Sequence, residues 1–109
     1  FEGQIATFRS GHDDKKPCYR CLFKDKPPSG LVPSCAESGV LGALAGTVGS
    51  LQAVEVLKEI LQLGDTLSGF LMIYDALAAD FRKIKLPRDP TCSLCGDEPS
   101  ITDLSAYAA

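Results

Sequence analysis

Four of the chain's five cysteines form two Cys-x-x-Cys pairs, and these pairs are the residues best suited to chemistry. Cys18 and Cys21 make the first pair, Cys92 and Cys95 make the second, and 70 residues lie between the pairs. Each pair places two sulfur atoms on one tight turn, and four thiolates suit a tetrahedral zinc ion. Four sulfurs close the coordination shell of zinc, so the expected site is structural and leaves no position for a substrate.

Iron or another metal, disulfide bonds and redox-active thiols are the alternatives that the spacing leaves open. A redox pair usually opens a helix that follows a strand, because the helix dipole then lowers the thiol pKa. Pro17 and Arg20 do not indicate such a helix start, and Pro90 places the second pair in a loop. No secretion signal is apparent, so structural disulfides are not favoured. Gly96 ends the second turn, where we expect it to supply a backbone with positive φ.

The fifth cysteine, Cys35, belongs to neither pair and stands between a proline-rich loop and an apolar segment. Pro33 and Ser34 precede it, so we expect it near a helix N-terminus, where the dipole favours a thiolate. The negative charge of Glu37 opposes ionisation of the Cys35 thiol, and no histidine follows nearby to act as a base. Two interpretations remain open, a nucleophile and a small buried apolar side chain.

The strands that would position the cysteines indicate a mixed α/β fold. Residues 2–9 and 70–74 are rich in β-branched and aromatic side chains, as strands are. Residues 81–86 alternate apolar and basic side chains, which predicts a half-exposed strand that pairs with the preceding one in a hairpin. A single leading strand is unusual for a free-standing domain. We therefore expect the chain to form one side of a larger sheet whose other strands lie upstream.

Residues 37–63 repeat apolar side chains every three or four positions, which predicts a long helix that ends at Gly64. Its glycines could divide it into two helices near Gly46 or Gly49. The first half is apolar or small on all sides and should be buried against a closely approaching backbone. The second half should carry its polar side chains on an exposed face, namely Gln52, Glu55, Lys58, Glu59 and Gln62.

Two loops and the overall composition limit the function classes. Residues 10–16 form a polar turn around the only histidine, His12, which we expect to be solvated. A net charge of −3 with scattered basic residues argues against a nucleic-acid partner. The longest uncharged stretch, residues 38–54, is shorter than the roughly 20 residues of a membrane span. The chain begins with Phe1, so we expect a fragment or a processed piece of a longer protein. It shows no signal peptide, and we expect a cytoplasmic location.

The ordered motifs together resemble the C-terminal half of the MoeB/ThiF family, the molybdopterin-synthase adenylyltransferases and their relatives among ubiquitin-activating enzymes. The resemblance extends from Glu2 to about Thr102. The most specific parts are the two cysteine pairs with the segment around Cys35 between them. The motifs, in order, are EGQIATF, PCYRCLF, VPSCAESGVLG, GSLQAVEVLK, YDAL, FRKIKL and RDPTCSLCG.

The resemblance implies a Rossmann-like α/β fold, a homodimer and a structural zinc bound by the cysteines of both pairs, Cys18, Cys21, Cys92 and Cys95. It implies an enzyme that uses Mg-ATP to adenylate the C-terminal glycine of a ubiquitin-like sulfur-carrier protein. Sulfur delivery then yields a thiocarboxylate for molybdopterin, thiamin or tRNA thiolation, in some relatives from a rhodanese-like domain. In relatives, the cysteine that matches Cys35 is proposed to attack the carrier adenylate or to form an acyl-persulfide link.

The family's glycine-rich nucleotide loop is missing from the sequence. The nearest segment, GVLGALAG, is not preceded by a strand and so does not fit a phosphate loop. Residues 1–109 are therefore expected to be the zinc-bearing half of the domain, with the ATP site in a parent protein and no adenylation by this chain alone. The alternative is a non-enzymatic zinc module that binds a partner. In the parent, residues 24–34 should be a mobile loop that orders over the carrier tail; the alternative is a plain surface connection between elements.

Overall fold

A computed structural model gives the fold and describes residues 1–9, 11, 16–25, 27, 28, 31, 36 and 39–107. Strand β1 is followed by a one-turn helix, α1, and then by the long helix α2. Strands β2 and β3 come next, and a short 3-10 helix lies near the end. Their bounds are Glu2–Ala6 for β1, Tyr19–Leu22 for α1, Gly42–Leu61 for α2, Phe70–Asp75 for β2, Asp80–Lys85 for β3 and Ser105–Tyr107 for the 3-10 helix. This arrangement confirms the mixture of helix and strand.

The three strands form one antiparallel sheet in the order β1-β2-β3. Ile5 pairs with Met72, and Tyr74 pairs with Phe81, whose ring stacks on the tyrosine ring at 4.3 Å between centroids. The turn between β2 and β3 is closed by Asp75, whose carboxylate accepts hydrogen bonds from the N–H groups of Leu77 and Ala78, both at 3.1 Å. The predicted hairpin is thus confirmed.

Helix α2 packs against β1 at a point where the strand has no side chain. A Cβ built on Gly3 would lie 2.4 Å from a methyl carbon of Val48, so only glycine lets the helix come this close. Below the helix, Ile5 is 2 % exposed, and Leu67 and Leu71 are also buried. The core of the described residues therefore lies between α2 and the β1-β2 half of the sheet.

The long helix differs from its prediction at both ends. It begins at Gly42, whereas the prediction placed its start near residue 37. It runs unbroken through Gly46 and Gly49, so the alternative of two helices is wrong and the single long helix is confirmed. It ends at Leu61, with Gln62 in the left-handed conformation at φ 54° and Gly64 at φ 60°. The predicted stop at Gly64 is thus close, but the chain leaves the helix through a glutamine. Strand β1 is also shorter than predicted, because Thr7 makes only an isolated bridge to Ser68.

The first half of α2 is not buried on most sides, contrary to its prediction. Gly42, Gly46 and Gly49 have no atom within 4 Å of an added Cβ among the described residues. The second half also leaves apolar side chains exposed, for example Val54 and Ile60, the latter at 70 %. The physical reason is that β1 covers only one side of the helix. No helix in the described part of the chain is both long enough and apolar enough to cross a membrane.

Candidate metal centre

The fold brings the four sulfurs of the two cysteine pairs into one cluster, within 4.8 Å of one another. The Sγ of Cys18 lies 3.9 Å from that of Cys21 and 3.6 Å from that of Cys92, and Cys21 lies 3.4 Å from Cys95. Zinc in a tetrahedron with Zn–S bonds of about 2.3 Å separates its sulfurs by about 3.8 Å. The observed distances match that tetrahedron and far exceed a disulfide bond of about 2.05 Å. All four thiols are free.

The first pair is held by α1, which begins directly after a buried proline. Pro17 is fully buried, Cys18 is the N-cap of the helix, and the Cys21 N–H donates to the Cys18 carbonyl at 3.1 Å. The expectation that this pair does not open a helix is therefore wrong. A helix of one turn nevertheless has too small a dipole to lower the thiol pKa as a redox site requires. The other two thiols also lie within contact distance, as expected for a metal site.

The second pair is held in a turn that Asp89 organises. The Asp89 carboxylate accepts from the Thr91 N–H at 2.8 Å and from the Thr91 hydroxyl at 2.7 Å. It also forms an ion pair with Lys24 at 2.6 Å, which joins the two cysteine loops across the cluster. These hydrogen bonds, that from Lys24 above all, lower the pKa of Asp89 to about 2. The carboxylate is therefore ionised at neutral pH.

Gly96 is required for a reason other than the predicted one. It does not adopt positive φ. Instead, a Cβ at this position would lie 2.4 Å from the carbonyl oxygen of Cys92 and 2.7 Å from the carbonyl oxygen of Pro90. The Gly96 N–H also donates to that Cys92 carbonyl at 3.0 Å. The turn thus folds back on itself so tightly that no side chain fits.

Backbone N–H groups and one arginine surround the sulfurs. The N–H of Asp89 points at the Sγ of Cys21 at 3.4 Å, and the N–H of Leu94 points at the Sγ of Cys92 at 3.5 Å. Arg88 donates to the carbonyl of Cys95 at 2.7 Å. Such outer contacts orient metal ligands and favour the thiolate form. The sulfurs of Cys21 and Cys92 therefore have N–H donors of the kind that stabilise a thiolate bound to a cation.

The thiols compete for protons in the absence of a cation. Burial raises the pKa of Cys18, and burial together with the neighbouring thiols raises the pKa of Cys95 to about 12. Burial opposes ionisation of Cys92 as well, but the N–H groups of Cys95 and Leu94 outweigh it and lower its pKa to about 7. Ionising one thiol thus hinders its neighbours. A divalent cation removes that repulsion and lets all four ionise, which is why the donor set fits a metal.

The other predicted site residues are not brought into this cluster. Cys35 and His12 lie outside the described residues, as does much of the predicted loop at 24–34. The proximity of the four cysteines is confirmed, and the four-sulfur shell agrees with zinc.

One polar side chain of the long helix is buried where the sequence predicts an exposed one. Glu55 was expected on the exposed face, but it is only 8 % exposed. One of its oxygens accepts from the N–H of Leu67 at 2.6 Å, and the other pairs with Lys58 at 2.5 Å. These contacts lower the pKa of Glu55 although burial acts in the opposite direction. Its position three residues after Gln52 and four after Leu51 gave no signal that separates it from the exposed polar side chains.

Comparison with known proteins identifies the same family that the sequence motifs resemble. The model of the ThiF family matches residues 1–94. A sulfur carrier protein adenylyltransferase of Thermus thermophilus is 52 % identical over all of this chain, which spans 41 % of that protein's length. The adenylyltransferase and sulfurtransferase MOCS3 of Bos taurus is 50 % identical over 98 % of the chain, which spans 23 % of its length. The chain belongs to the ThiF family.

Proposed function

We propose that this chain is the C-terminal, zinc-bearing half of an ATP-dependent adenylyltransferase that activates the C-terminal glycine of a ubiquitin-like sulfur-carrier protein. The observation that carries the proposal is identity of half or more, over nearly the whole chain, to two proteins named as adenylyltransferases, one of them for a sulfur carrier. Because the chain spans only part of each relative's length, the whole protein's activity is inferred from these likenesses.

In this proposal the zinc centre holds the half together and does not take part in the reaction. Its four sulfurs would fill the shell of a zinc ion, so water and substrate find no open position on the metal. Cys18, Cys21, Cys92 and Cys95 would hold the ion and fix the loops that follow β1 and β3. Mg-ATP would bind to residues outside positions 1–109, since the sequence contains no glycine-rich phosphate loop.

Carrier activation would involve two further parts of the chain. The thiolate of Cys35 would attack the carbonyl of the carrier adenylate and release AMP, which forms a thioester. Alternatively, the sulfane sulfur of a persulfide on the sulfur donor would pass to the Cys35 thiolate and leave the donor as a thiolate; the resulting Cys35 persulfide would then attack the adenylate, release AMP and join the carrier through an acyl-persulfide. Residues 24–34 would close over the carrier's tail. Lys24 supports the second role, because its ion pair with Asp89 at 2.6 Å fixes the start of this loop to the metal centre. The parent would be a homodimer supplied with sulfur by a rhodanese-like donor.

The proposal is tested by carrier-dependent exchange of pyrophosphate into ATP. We expect the full-length zinc-loaded protein to catalyse this exchange with its carrier and residues 1–109 alone to show none. A carrier that lacks its terminal glycine serves as the control, since it offers no acceptor carboxylate. If the full-length protein exchanges pyrophosphate at the same rate with that truncated carrier, the proposed substrate is wrong.

The role of Cys35 needs its own variant. In the full-length enzyme, Cys35→Ala should leave pyrophosphate exchange intact, because adenylation precedes the thiol step, and should abolish sulfur transfer to the carrier. Ser34→Ala is the matched control one residue away. Survival of both activities in Cys35→Ala would show that this thiol only packs.

A non-enzymatic zinc module is the second candidate, and the missing glycine-rich loop favours it for this chain taken alone. The two candidates differ in what the coding sequence upstream of Phe1 encodes. A strand followed by a glycine-rich loop would support the enzyme, whereas a start codon at that point would support the module.

A further inference from the structure

Asp89 contacts both cysteine pairs although it belongs to neither. It lies after β3 and shortly before Cys92, and its side chain is 26 % exposed. Its backbone and its side chain each make one contact to the first pair or its loop and one to the turn of the second pair. These contacts together set how the two pairs face each other.

On the side of the second pair, Asp89 closes the turn that leads into Cys92. Its carbonyl accepts from the Cys92 N–H at 3.0 Å, and its Oδ1 accepts from the N–H and the hydroxyl of Thr91 at 2.8 and 2.7 Å. Aspartate followed by proline favours such a turn, because the carboxylate binds the backbone two residues on and Pro90 presets φ. These bonds fix the direction in which Cys92 leaves the turn.

On the side of the first pair, Asp89 contacts one ligand and the loop that follows it. Its N–H points at the Sγ of Cys21 at 3.4 Å, and its Oδ2 pairs with the amine of Lys24 at 2.6 Å. Lys24 is 66 % exposed, so this ion pair by itself contributes little stability. Its effect is on geometry, because it holds the Asp89 peptide unit where the N–H meets the sulfur.

Asp89 is not itself placed to bind the ion. Its Oδ1 accepts from Thr91 and its Oδ2 accepts from Lys24, so both oxygens already face proton donors. The possible metal ligands that cluster among the described residues are the four cysteines alone. Asp89 therefore acts on the centre through Cys21 and Cys92.

We propose that Asp89 is the positioning residue of the metal centre. It aligns the Cys21 sulfur with the turn of Cys92, so that sulfurs of the two pairs meet at 3.4 to 3.6 Å, close to the spacing around a tetrahedral ion. This inference rests on the metal binding in the proposed function and not on adenylation. Metal binding by the unsubstituted protein tests that premise separately.

Cobalt(II) is the probe, because it binds the same ligands as zinc and its visible absorption bands report the coordination geometry. The full-length protein is titrated with cobalt, and zinc then displaces the cobalt to give the zinc affinity. We expect Asp89→Ala to lower both affinities by about 10- to 100-fold, the usual effect of removing a residue that orients metal ligands. At saturating cobalt the bands should also shift and broaden, because the sulfurs then depart from a tetrahedron.

Milder variants separate the two sides of this role. Asp89→Asn keeps an acceptor for Thr91 but cannot form the ion pair, so both affinities should fall by only about two- to fivefold. Lys24→Met removes the same ion pair and should give the same fall. The two substitutions together should add nothing further, because both delete one contact.

Asp97→Ala is the matched control. Asp97 follows the second pair closely, forms an ion pair with Arg88 at 3.1 Å and has a side chain 73 % exposed. Its substitution removes the same charge from the vicinity of this pair but leaves the contacts of Asp89 to Cys21 and Lys24 in place. This variant should keep the cobalt bands and the zinc affinity of the unsubstituted protein.

Three results would overturn the role of Asp89. The first is unchanged affinity for both ions in Asp89→Ala. The second is weaker binding with unchanged cobalt bands, which would mean that the residue only stabilises the fold. The third is an equal loss in Asp97→Ala, since charge and not position would then matter.

Two further outcomes are also decisive. If Asp89→Ala does not fold, Asp89→Asn and Lys24→Met carry the test, and unchanged affinity in both variants overturns the role. A lack of cobalt binding by the unsubstituted protein would instead contradict the proposed metal centre, and with it the premise of this inference.

Discussion

The turn that ends at Gly96 gives the sharpest test of the metal centre. In Gly96→Ala the new Cβ would lie 2.4 Å from the Cys92 carbonyl oxygen, 2.7 Å from the Cys92 nitrogen and 2.7 Å from the Pro90 carbonyl oxygen. Cβ contacts below 3.0 Å essentially never occur, and all three atoms belong to the backbone. No rotamer change can relieve the overlap, so the turn itself must open by roughly 0.6 Å, the difference between 3.0 and 2.4 Å.

That movement is large compared with what the metal tolerates. Metal–ligand distances in working sites stay within about 0.2 Å of their ideal values, and the turn carries both Cys92 and Cys95. Overpacking of this kind costs about 1 to 3 kcal/mol. Since the strain falls on two of the four ligands, we expect zinc affinity to fall by about 5- to 150-fold, at 1.4 kcal/mol per factor of ten.

Competition with a chromophoric chelator measures this affinity directly. Gly42→Ala is the matched control, because its added Cβ meets nothing within 4 Å and it lies far from the sulfurs in sequence. The Gly42→Ala control should bind zinc with the same affinity as the unsubstituted protein. Wild-type zinc affinity in Gly96→Ala would refute the steric reasoning and show that the turn yields without disturbing its ligands.

Three further predictions follow from the same contacts. Elemental analysis should find one zinc per chain, and a chelator should remove it with loss of the folded state in circular dichroism; a fold that survives metal removal would contradict this. Because Glu55 has a lowered pKa in the folded protein, its contribution to stability is present above the unfolded pKa of about 4.3 and is lost as the pH falls below it. In denaturant titrations Glu55→Gln should flatten that part of the pH profile. Gly46→Ala should stabilise residues 1–109 by about 1 kcal/mol, since alanine favours a helix and its Cβ would contact no described atom within 4 Å. In the full-length protein the same substitution should be destabilising if other elements cover α2.

The cysteine cluster was the most predictable part of the structure, and the reason is geometric. A Cys-x-x-Cys turn fixes two sulfurs locally, so only the meeting of two turns depends on the rest of the fold. Helices and strands such as β2 and β3 could be predicted for the same reason. The periodic pattern of apolar side chains that identifies each element depends only on neighbouring residues.

Features that depend on distant contacts were missed. The requirement for glycine at position 96 comes from carbonyl groups of Pro90 and Cys92 that the turn brings close, and sequence gives no sign of that approach. Burial of Glu55 depends on the N–H of Leu67, twelve positions away. The prediction that the first half of α2 is buried was wrong. A sequence that is apolar on all sides of a helix shows how much surface the helix can bury, but not whether a partner is present to cover it.

The position of the metal centre in the topology explains why its loss should affect the whole chain. The first pair follows β1 and the second follows β3, so the cluster joins the two outer strands of the sheet from their connecting loops. Between Cys21 and Cys92 lie 70 residues, which include α2 and the hairpin. Cross-linking a loop of that length removes about 4 kcal/mol of chain entropy from the unfolded state, by the same reasoning as for a disulfide.

That contribution is comparable to the whole stability of a small domain, which is about 5 to 15 kcal/mol. The packed core between α2 and the sheet is small, because Val54, Ile60 and other apolar side chains of the helix remain exposed. Taken alone, residues 1–109 bury so little apolar area that we expect them to depend on a cross-link in the way that small domains depend on disulfides or metals. A metal ion held by the four cysteines would therefore act on the fold as a whole, because it would fix the loops that carry Lys24 and Asp89.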